Sequence, residues 1–420
     1  MTQFAPSPPR APRCVVVGGG PGGLLLAYLL ARADIPVTLL EAHRDFDRRF
    51  RGDSLHPYTL ELLDQLGLAD ELLELPHYAA RTFRMHTPGG TLTAADYSRL
   101  PTRFNYVALM PQAIFLDFLA AKAVDLPSMR LRLGAKATGL VEENGIITGV
   151  RYQDSHGEHV LRSAVVIGAD GRFSRVRRLA GLPDQSLGAA NDLLWFRLPR
   201  RASDPPEADV DIYFGPHNYV GLLGGQRDWQ VGYTLPKGGY AAARQAGLGP
   251  IRDFFAEHVP WLADRLYLLS DFGQTTLLSV DISRVERWHR PGLMLLGDAA
   301  HVISPVGGNG ILMAIQDAVA AANRLVPALR TGRVDETVLA AVQAEREPAI
   351  RAVQARQVRV ERRVMNARER GLPITPPQFL RMLTSVPAVR VRAARANAYG
   401  PRPPVLDPAV LTSSKVEVTT

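Results

Sequence analysis

Two hydrophobic rhythms divide the chain. Short unbroken apolar runs at 14–17, 36–40 and from 164 into Ala169, with another ending at Gly297-Asp298, stop abruptly at glycine or an acid. Runs of this kind predict strands of a parallel sheet buried on both faces. Residues 22–32, between the first two, carry helical spacing. A second rhythm fills 190–280, where "DLLWFRLP", "DVDIYFG", "NYVGLLGG" and "WQVGYTLP" are short β-like runs separated by turn residues. They predict an antiparallel sheet. "RTFRMHTPGGTLTAADYS" (81–98) reads as a hairpin around Pro88-Gly89-Gly90. Residues 340–370 predict a long basic helix with Pro348 as a break or a first-turn residue. A disordered lead is expected at the N-terminus and an irregular Pro- and Ser/Thr-rich tail beyond about 399.

The first strand–helix–strand unit carries chemistry. Gly18, Gly20 and Gly23 satisfy G-x-G-x-x-G directly after the strand. In that setting the first glycine makes the tight turn, the second lets backbone approach a pyrophosphate, and the third lets helix pack on strand. The pyrophosphate would rest on unpaired N–H groups at the positive helix end. Glu41 follows about 20 residues on, where an acid accepts hydrogen bonds from a ribose. A ribose acid disfavours a 2′-phosphate, so the ADP of FAD or NAD is expected here.

Two later stretches repeat the pattern of strand, turn and helix. "AVVIGADGRFSRVRR" (164–178) sets Asp170-Gly171 before Ser174 and Arg177, and "LLGDAAHVISPVGGNG" (295–310) sets Gly297-Asp298 before Pro305 and a glycine-rich loop. The ordered set resembles the group A flavoprotein aromatic hydroxylases, whose fold is that of para-hydroxybenzoate hydroxylase; the resemblance covers most of 13–330. It implies an α/β fold: a Rossmann-like FAD-binding domain (13–80, 101–185, 281–335) with an inserted antiparallel-sheet substrate domain. That domain would comprise a hairpin (81–100) and the sheet proper (186–280). C-terminal helices (336–398), a tail (399–420) and the lead (1–12) complete the division.

The resemblance also implies roles. Asp298 would hydrogen-bond the ribityl chain of FAD, and Asp170 and Gly297 would belong to the same cofactor site. Pro305, Gly307, Gly308, Asn309 and Gly310 would lie against the isoalloxazine, and the helix starting near Gly310 would point its N-terminus at the pyrimidine edge. On the residues alone, Asp298 also reads as a helix cap. Arg51 matches the family arginine that reaches the FAD phosphates, or is a solvated charge. Gln112 stands where the family places a flavin-contacting side chain, or is a surface helix residue. One position departs: the family often has Asn where Leu312 stands. Arg197, Tyr213, Tyr219 and Tyr233 are substrate-pocket candidates, with sheet core or solvated face as the alternative. His56 and His301 are read as structural, and no catalytic base is named.

Composition narrows the field. The chain has 420 residues, 46% hydrophobic and 21% charged, with Lys+Arg 49 against Asp+Glu 41. The net charge of +8 steers anions; it is scattered, and no nucleic-acid motif accompanies it. One cysteine, Cys14, excludes an internal disulfide. No metal-ligand cluster, signal-peptide core or membrane-length apolar run is present, and a cytoplasmic setting is expected. The resemblance thus implies a monooxygenase using FAD, with NADH or NADPH as transient reductant and dioxygen as co-substrate. It would hydroxylate an aromatic or polyketide-like molecule through a flavin C4a-hydroperoxide, as a monomer or homodimer. The rivals are another FAD reaction on this fold (epoxidation, Baeyer–Villiger insertion, dehydrogenation, reduction) or a non-catalytic flavin- or ligand-binding protein. A halogenase is disfavoured because "VGYTLP" (231–236) lacks both tryptophans of W-x-W-x-I-P.

Overall fold

The computed structural model describes residues 13–47, 53–305, 307–377 and 379–411. The predicted opening unit is β1 (Cys14–Val17), α1 (Pro21–Arg32) and β2 (Val37–Leu40). Next come α2 (Pro57–Gln65), β3 (Thr82–Thr87), β4 (Gly90–Asp96), α3 (Gln112–Val124), β5 (Met129–Arg132), β6 (Val165–Gly168) and α4 (Arg175–Leu179). The middle of the chain forms β7 (Asn191–Pro199), β8 (Val210–Phe214), β9 (Tyr219–Gly224), β10 (Asp228–Pro236), α5 (Gly249–His258) and β11 (Thr276–Leu278). The last part forms β12 (His289–Arg290), β13 (Leu293–Leu295), α6 (Gly310–Thr331), α7 (Glu336–Glu369), α8 (Phe379–Ser385) and α9 (Pro387–Tyr399).

Six strands form one sheet in the order β12–β13–β6–β1–β2–β5, parallel except for β12. All four residues of β1, β2 and β6 are buried, as their unbroken apolar runs predict. Helix α1 is buried along Gly22–Ala31 because it is apolar all round and is packed by α3, α6 and the strands. The parallel arrangement places four segments at one edge. Gly18 follows β1, Glu41 follows β2, Ala169-Asp170 follows β6, and Gly297-Asp298 comes soon after β13. Motifs far apart in the chain thus meet at the carboxyl ends of adjacent strands, where open α/β sheets bind ligands.

The second sheet has seven strands in the order β11–β7–β10–β9–β8–β3–β4. All four predicted runs of 190–280 are strands in it, and the predicted hairpin joins its edge by parallel pairing of β3 with β8. One face carries a core of Leu194, Phe196, Leu198, Leu222, Trp229 and Val231 against Phe254 and Phe255 of α5. A three-stranded sheet over Lys136–Glu143, Ile146–Asp154 and Gly157–Arg162 has no counterpart among the sequence expectations.

Two expectations change. Pro348 neither breaks nor starts a helix: α7 runs through it from Glu336 to Glu369. The lost backbone bond is offset by packing on both sides, where Arg346, Ala349, Ile350 and Gln354 are all buried. The chain after Gly400, expected to be irregular, is docked and includes a short helix, Pro408–Leu411. Leu406 and Val410 enter the main core, and the Tyr58 hydroxyl donates to the Pro404 carbonyl at 2.7 Å. The expected lead and the end of the tail lie outside the described residues.

Candidate active site

Backbone contacts dictate the glycine loop. Gly18 has φ +107°, and a Cβ there would lie 2.4 Å from the Ala169 carbonyl oxygen. At Gly23 it would lie 2.1 Å from the Gly18 carbonyl oxygen, so helix and strand touch at this point. Gly22 was not singled out from sequence, yet a Cβ there would meet Leu296 at 2.6 Å and the Ala314 carbonyl at 2.8 Å. Gly20 differs: a Cβ would meet nothing within 4 Å, and this residue precedes α1 without a side-chain cap. The space beside Gly20, just before the N-terminus of α1, is therefore open. Glu41 is buried and accepts the N–H of Gly19 at 2.8 Å and of His43 at 2.9 Å, tying the loop to the end of β2.

The loop after β13 is built differently. Gly297 has φ +59°, and its N–H donates to the buried Asp317 carboxylate at 3.2 Å. That carboxylate also accepts from His301 Nε2 at 2.6 Å and Arg346 Nε at 2.9 Å. Burial works to raise its pKa, but His301 and Arg346 outweigh that and hold it below the usual carboxylate range. Asp298 is half-buried in a single 3-10 turn and caps nothing; among the described residues no group hydrogen-bonds its carboxylate. The helix-cap alternative for Asp298 therefore has no support in the geometry.

Pro305 leads into Gly307 (φ +98°) and Gly308 (φ +69°). A Cβ at Gly308 would lie 2.9 Å from Ser54 Oγ, and His56 Nε2 lies 3.2 Å from the Gly308 carbonyl oxygen. Burial lowers the His56 pKa to about 4, which keeps it neutral and matches its structural reading. Helix α6 starts at Gly310, as expected, and its N-terminus has no side-chain cap. The Asn309 side-chain oxygen is buried there without a hydrogen-bond partner. Leu312 is fully buried in the core, so the departing position faces packing, and Asn309 is the amide near this helix end.

Asp170 has structural work. Its carboxylate accepts from the Ser174 hydroxyl, from Arg175 N–H at 2.6 Å and from Val176 N–H at 3.0 Å, holding the start of α4. Buried Arg177 extends this anchor, donating to the Ala299 carbonyl at 3.2 Å and pairing with Asp184 at 3.1 Å. Gln112 opens α3, and its N–H donates to Asp53 at 3.3 Å. Arg51 lies outside the described residues.

The substrate candidates separate by sheet face. Tyr213 and Tyr233 lie on the helix-packed face and are core residues. Tyr213 stacks on His86 at 4.0 Å and accepts from Trp261, while Tyr233 packs edge-on against Phe254 and accepts from Asn218. Tyr219 is buried with Val364 and Ile374 under the end of α7. Tyr213 and Tyr233 thus belong to the helix-packed core, whereas Tyr219 alternates with the core residue Val220 and lies on the other face. Arg197 is on the opposite face with Trp195, as period two predicts; it pairs in register with Gln230 and lies 3.5 Å from Asp228. From that face Gln230 donates to Asp53. Sequence reasoning missed both residues; neither belongs to a motif, and they are 177 positions apart. It also missed the bracing by α7. Gln357 bonds both the N–H and the carbonyl of Ser304, and Gln354 donates to the carbonyls of Ser283 and Val302.

The family described as FAD binding domain matches residues 12–357. The chain belongs to this FAD-binding family. Family members similar to it include the 6-methylpretetramide 4-monooxygenase of Streptomyces rimosus, 37% identical over 92% of this chain and 91% of that one. The rifampicin monooxygenase of Streptomyces venezuelae is 30% identical over 80% of this chain and 68% of that one. Among solved structures, p-nitrophenol 4-monooxygenase from Pseudomonas putida DLL-E4 superposes with a TM-score of 0.71 at 20% identity, covering 92% of this chain and 94% of that one. Among the described residues no cluster of ligands could hold a metal ion, and no helix is long and apolar enough to cross a membrane.

Proposed function

We propose that this flavoprotein monooxygenase is a single-component aromatic hydroxylase, reducing its flavin with NADH or NADPH and placing one oxygen on a phenolic, polyketide-like ring. The observation that carries the reading is a convergence at one sheet edge. Two helix N-termini without side-chain caps, an Asp298 carboxylate with no partner among the described residues and an orphaned Asn309 amide oxygen lie along it, and Gln230, on the face bearing Trp195 and Arg197, reaches Asp53 beside it. Relatives named for 6-methylpretetramide and rifampicin support the substrate class.

The residues present fit FAD. The open first turn of α1 at Gly20 would take the pyrophosphate, Glu41 the ribose and Asp298 the ribityl hydroxyls. Gly307, Gly308, Asn309 and Gly310 would take the isoalloxazine. When bound, FAD supplies the redox chemistry and the activation of dioxygen. The chain supplies position and field. Unpaired N–H groups at the start of α6 favour negative charge on whatever lies against them. The second sheet would cover the bound flavin from one side, and Arg197 would offer a cation to an electron-rich oxygen.

The test is direct. The purified protein should be yellow, and NADH or NADPH oxidation screened against phenols and polycyclic aromatics should yield a product heavier by one oxygen. Hydrogen peroxide as the sole product with every aromatic refutes hydroxylation. A product heavier by hydrogen alone assigns a reductase.

A further inference from the structure

Asp53 is a buried carboxylate that no motif explains. It is 5% exposed and stands where the two sheets meet. One oxygen accepts the Gln112 N–H at 3.3 Å, the other accepts from Gln230 on β10, and its own carbonyl accepts the Met110 N–H at 2.8 Å. The next residue, Ser54, is the side chain against Gly308. Asp53 is therefore one residue from the glycine cradle and one hydrogen bond from the open face of the second sheet. A carboxylate has about four acceptor positions, and two remain for a further partner.

The charged neighbours are few. Arg197 on β7 favours the ionised form, and Asp228 at the start of β10 opposes it. Burial is the largest influence and raises the Asp53 pKa to about 6, against the hydrogen bonds from Gln230 and Gln112.

We propose that Asp53 is the proton acceptor of the active site, taking the proton of a phenolic hydroxyl laid along Trp195, Arg197 and Gln230. The proposal rests on the aromatic-hydroxylase reading. In this step the phenol O–H bond breaks, the proton bonds to an Asp53 oxygen, and the electron pair stays on the phenolate oxygen. Nothing is oxidised or reduced. The phenolate enriches its ring with electrons, and Arg197 stabilises the new charge. A carboxylate whose burial raises its proton affinity is suited to this transfer.

The experiment uses the FAD-loaded protein without NADH or NADPH and with p-nitrophenol as probe, because its phenolate is coloured and its phenol is not. The wild-type complex should show the phenolate band below the pH at which the free probe ionises. Asp53→Asn should show only the phenol. Gln230→Ala should keep the band with its acid limb moved to higher pH, since it loses a donor that stabilises the carboxylate. On any aromatic that is hydroxylated, wild-type kcat/KM should fall as pH drops through the Asp53 range. Asp53→Asn should lack that limb and lose about 10²–10⁴ in kcat.

An unchanged solution titration with the wild-type complex overturns the proposal, and so does a phenolate band retained by Asp53→Asn. If Asp53 only tied the sheets together, Gln230→Ala and Asp53→Asn would behave alike, which also overturns it. Should Asp53→Asn lose FAD or folding, the shifted limb of Gln230→Ala against an unshifted one decides. The binding arm involves no turnover. An Asp53-dependent phenolate band with no oxygenated product would refute the hydroxylase reading while leaving the acceptor in place.

Discussion

Replacing Asp317 by Asn removes one charge from the buried ionic network beneath the Gly297-Asp298 turn. Asp317 is 1% exposed, Arg346 is 0% exposed, and they meet at 2.9 Å. His301 Nε2 lies 2.6 Å away on the other carboxylate oxygen. Without the carboxylate, the Arg346 guanidinium stays buried and keeps only uncharged partners, Gln316 and the Arg402 carbonyl. Removing one partner of a buried pair costs about 3–5 kcal/mol. At about 2 °C per kcal/mol for a chain of this size, the thermal midpoint should fall by about 6–10 °C. The sign of the pH dependence follows from the depressed Asp317 pKa. Its contribution is present above the unfolded carboxylate value and is lost as pH falls through the folded one. The wild-type advantage should therefore be full at neutrality and shrink in acid, below about pH 4. Thermal and urea unfolding across that range measure it. A second variant pair sharpens the assay: Asp317→Leu with Arg346→Met removes both charges and should lose less than the two single changes added together. An Asp317→Asn protein within about 1 kcal/mol of wild type at neutral pH would refute the paired network.

Three further changes bear on the cofactor. Gly23→Val should abolish FAD binding, measured by bound flavin after desalting, because Cβ would sit 2.1 Å from the Gly18 carbonyl. Asp298→Ala should weaken FAD by about 1.5–3 kcal/mol, roughly ten- to hundredfold in Kd by flavin fluorescence titration, with the thermal midpoint of the FAD-free protein unchanged. Gly308→Val forces a side chain into Ser54 at positive φ; product formed per NADH or NADPH oxidised should drop more than the thermal midpoint does.

Much of this architecture was legible because it is local. An unbroken apolar run, three spaced glycines and a following acid are close in sequence, and β1, α1 and β2 formed within a residue or so of expectation. The remaining motifs could be gathered into one site because parallel strands send their carboxyl ends to one edge. What stayed hidden is long-range. Period two told that Trp195 shares a face with Arg197, but not which face reaches Asp53, nor that Tyr213 and Tyr233 belong to the helix-packed core. The pairing of Asp53 with Gln230 depends on how the two sheets meet, and nothing in "RGDSLHP" or "DWQVGYT" announces it. Pro348 misled for the same reason, since the contacts that carry the helix through it come from Asp317 and its surroundings.

The alternation along β7 and β10 divides two kinds of change. Leu194, Phe196, Trp229 and Val231 answer to the helices behind the sheet, whereas Trp195, Arg197, Gln230 and Gly232 answer to whatever lies in front. Trp195 and Gly232 can be re-lettered while their neighbours keep the core intact. Such a sheet works like type set on a fixed forme: the bed holds still while the printed line changes. A lineage could drift among differently decorated rings by single substitutions on one face, with thermal stability scarcely recording the change. Selection for a new substrate should accumulate at Trp195 and Gly232 and leave Leu194, Phe196, Trp229 and Val231 untouched.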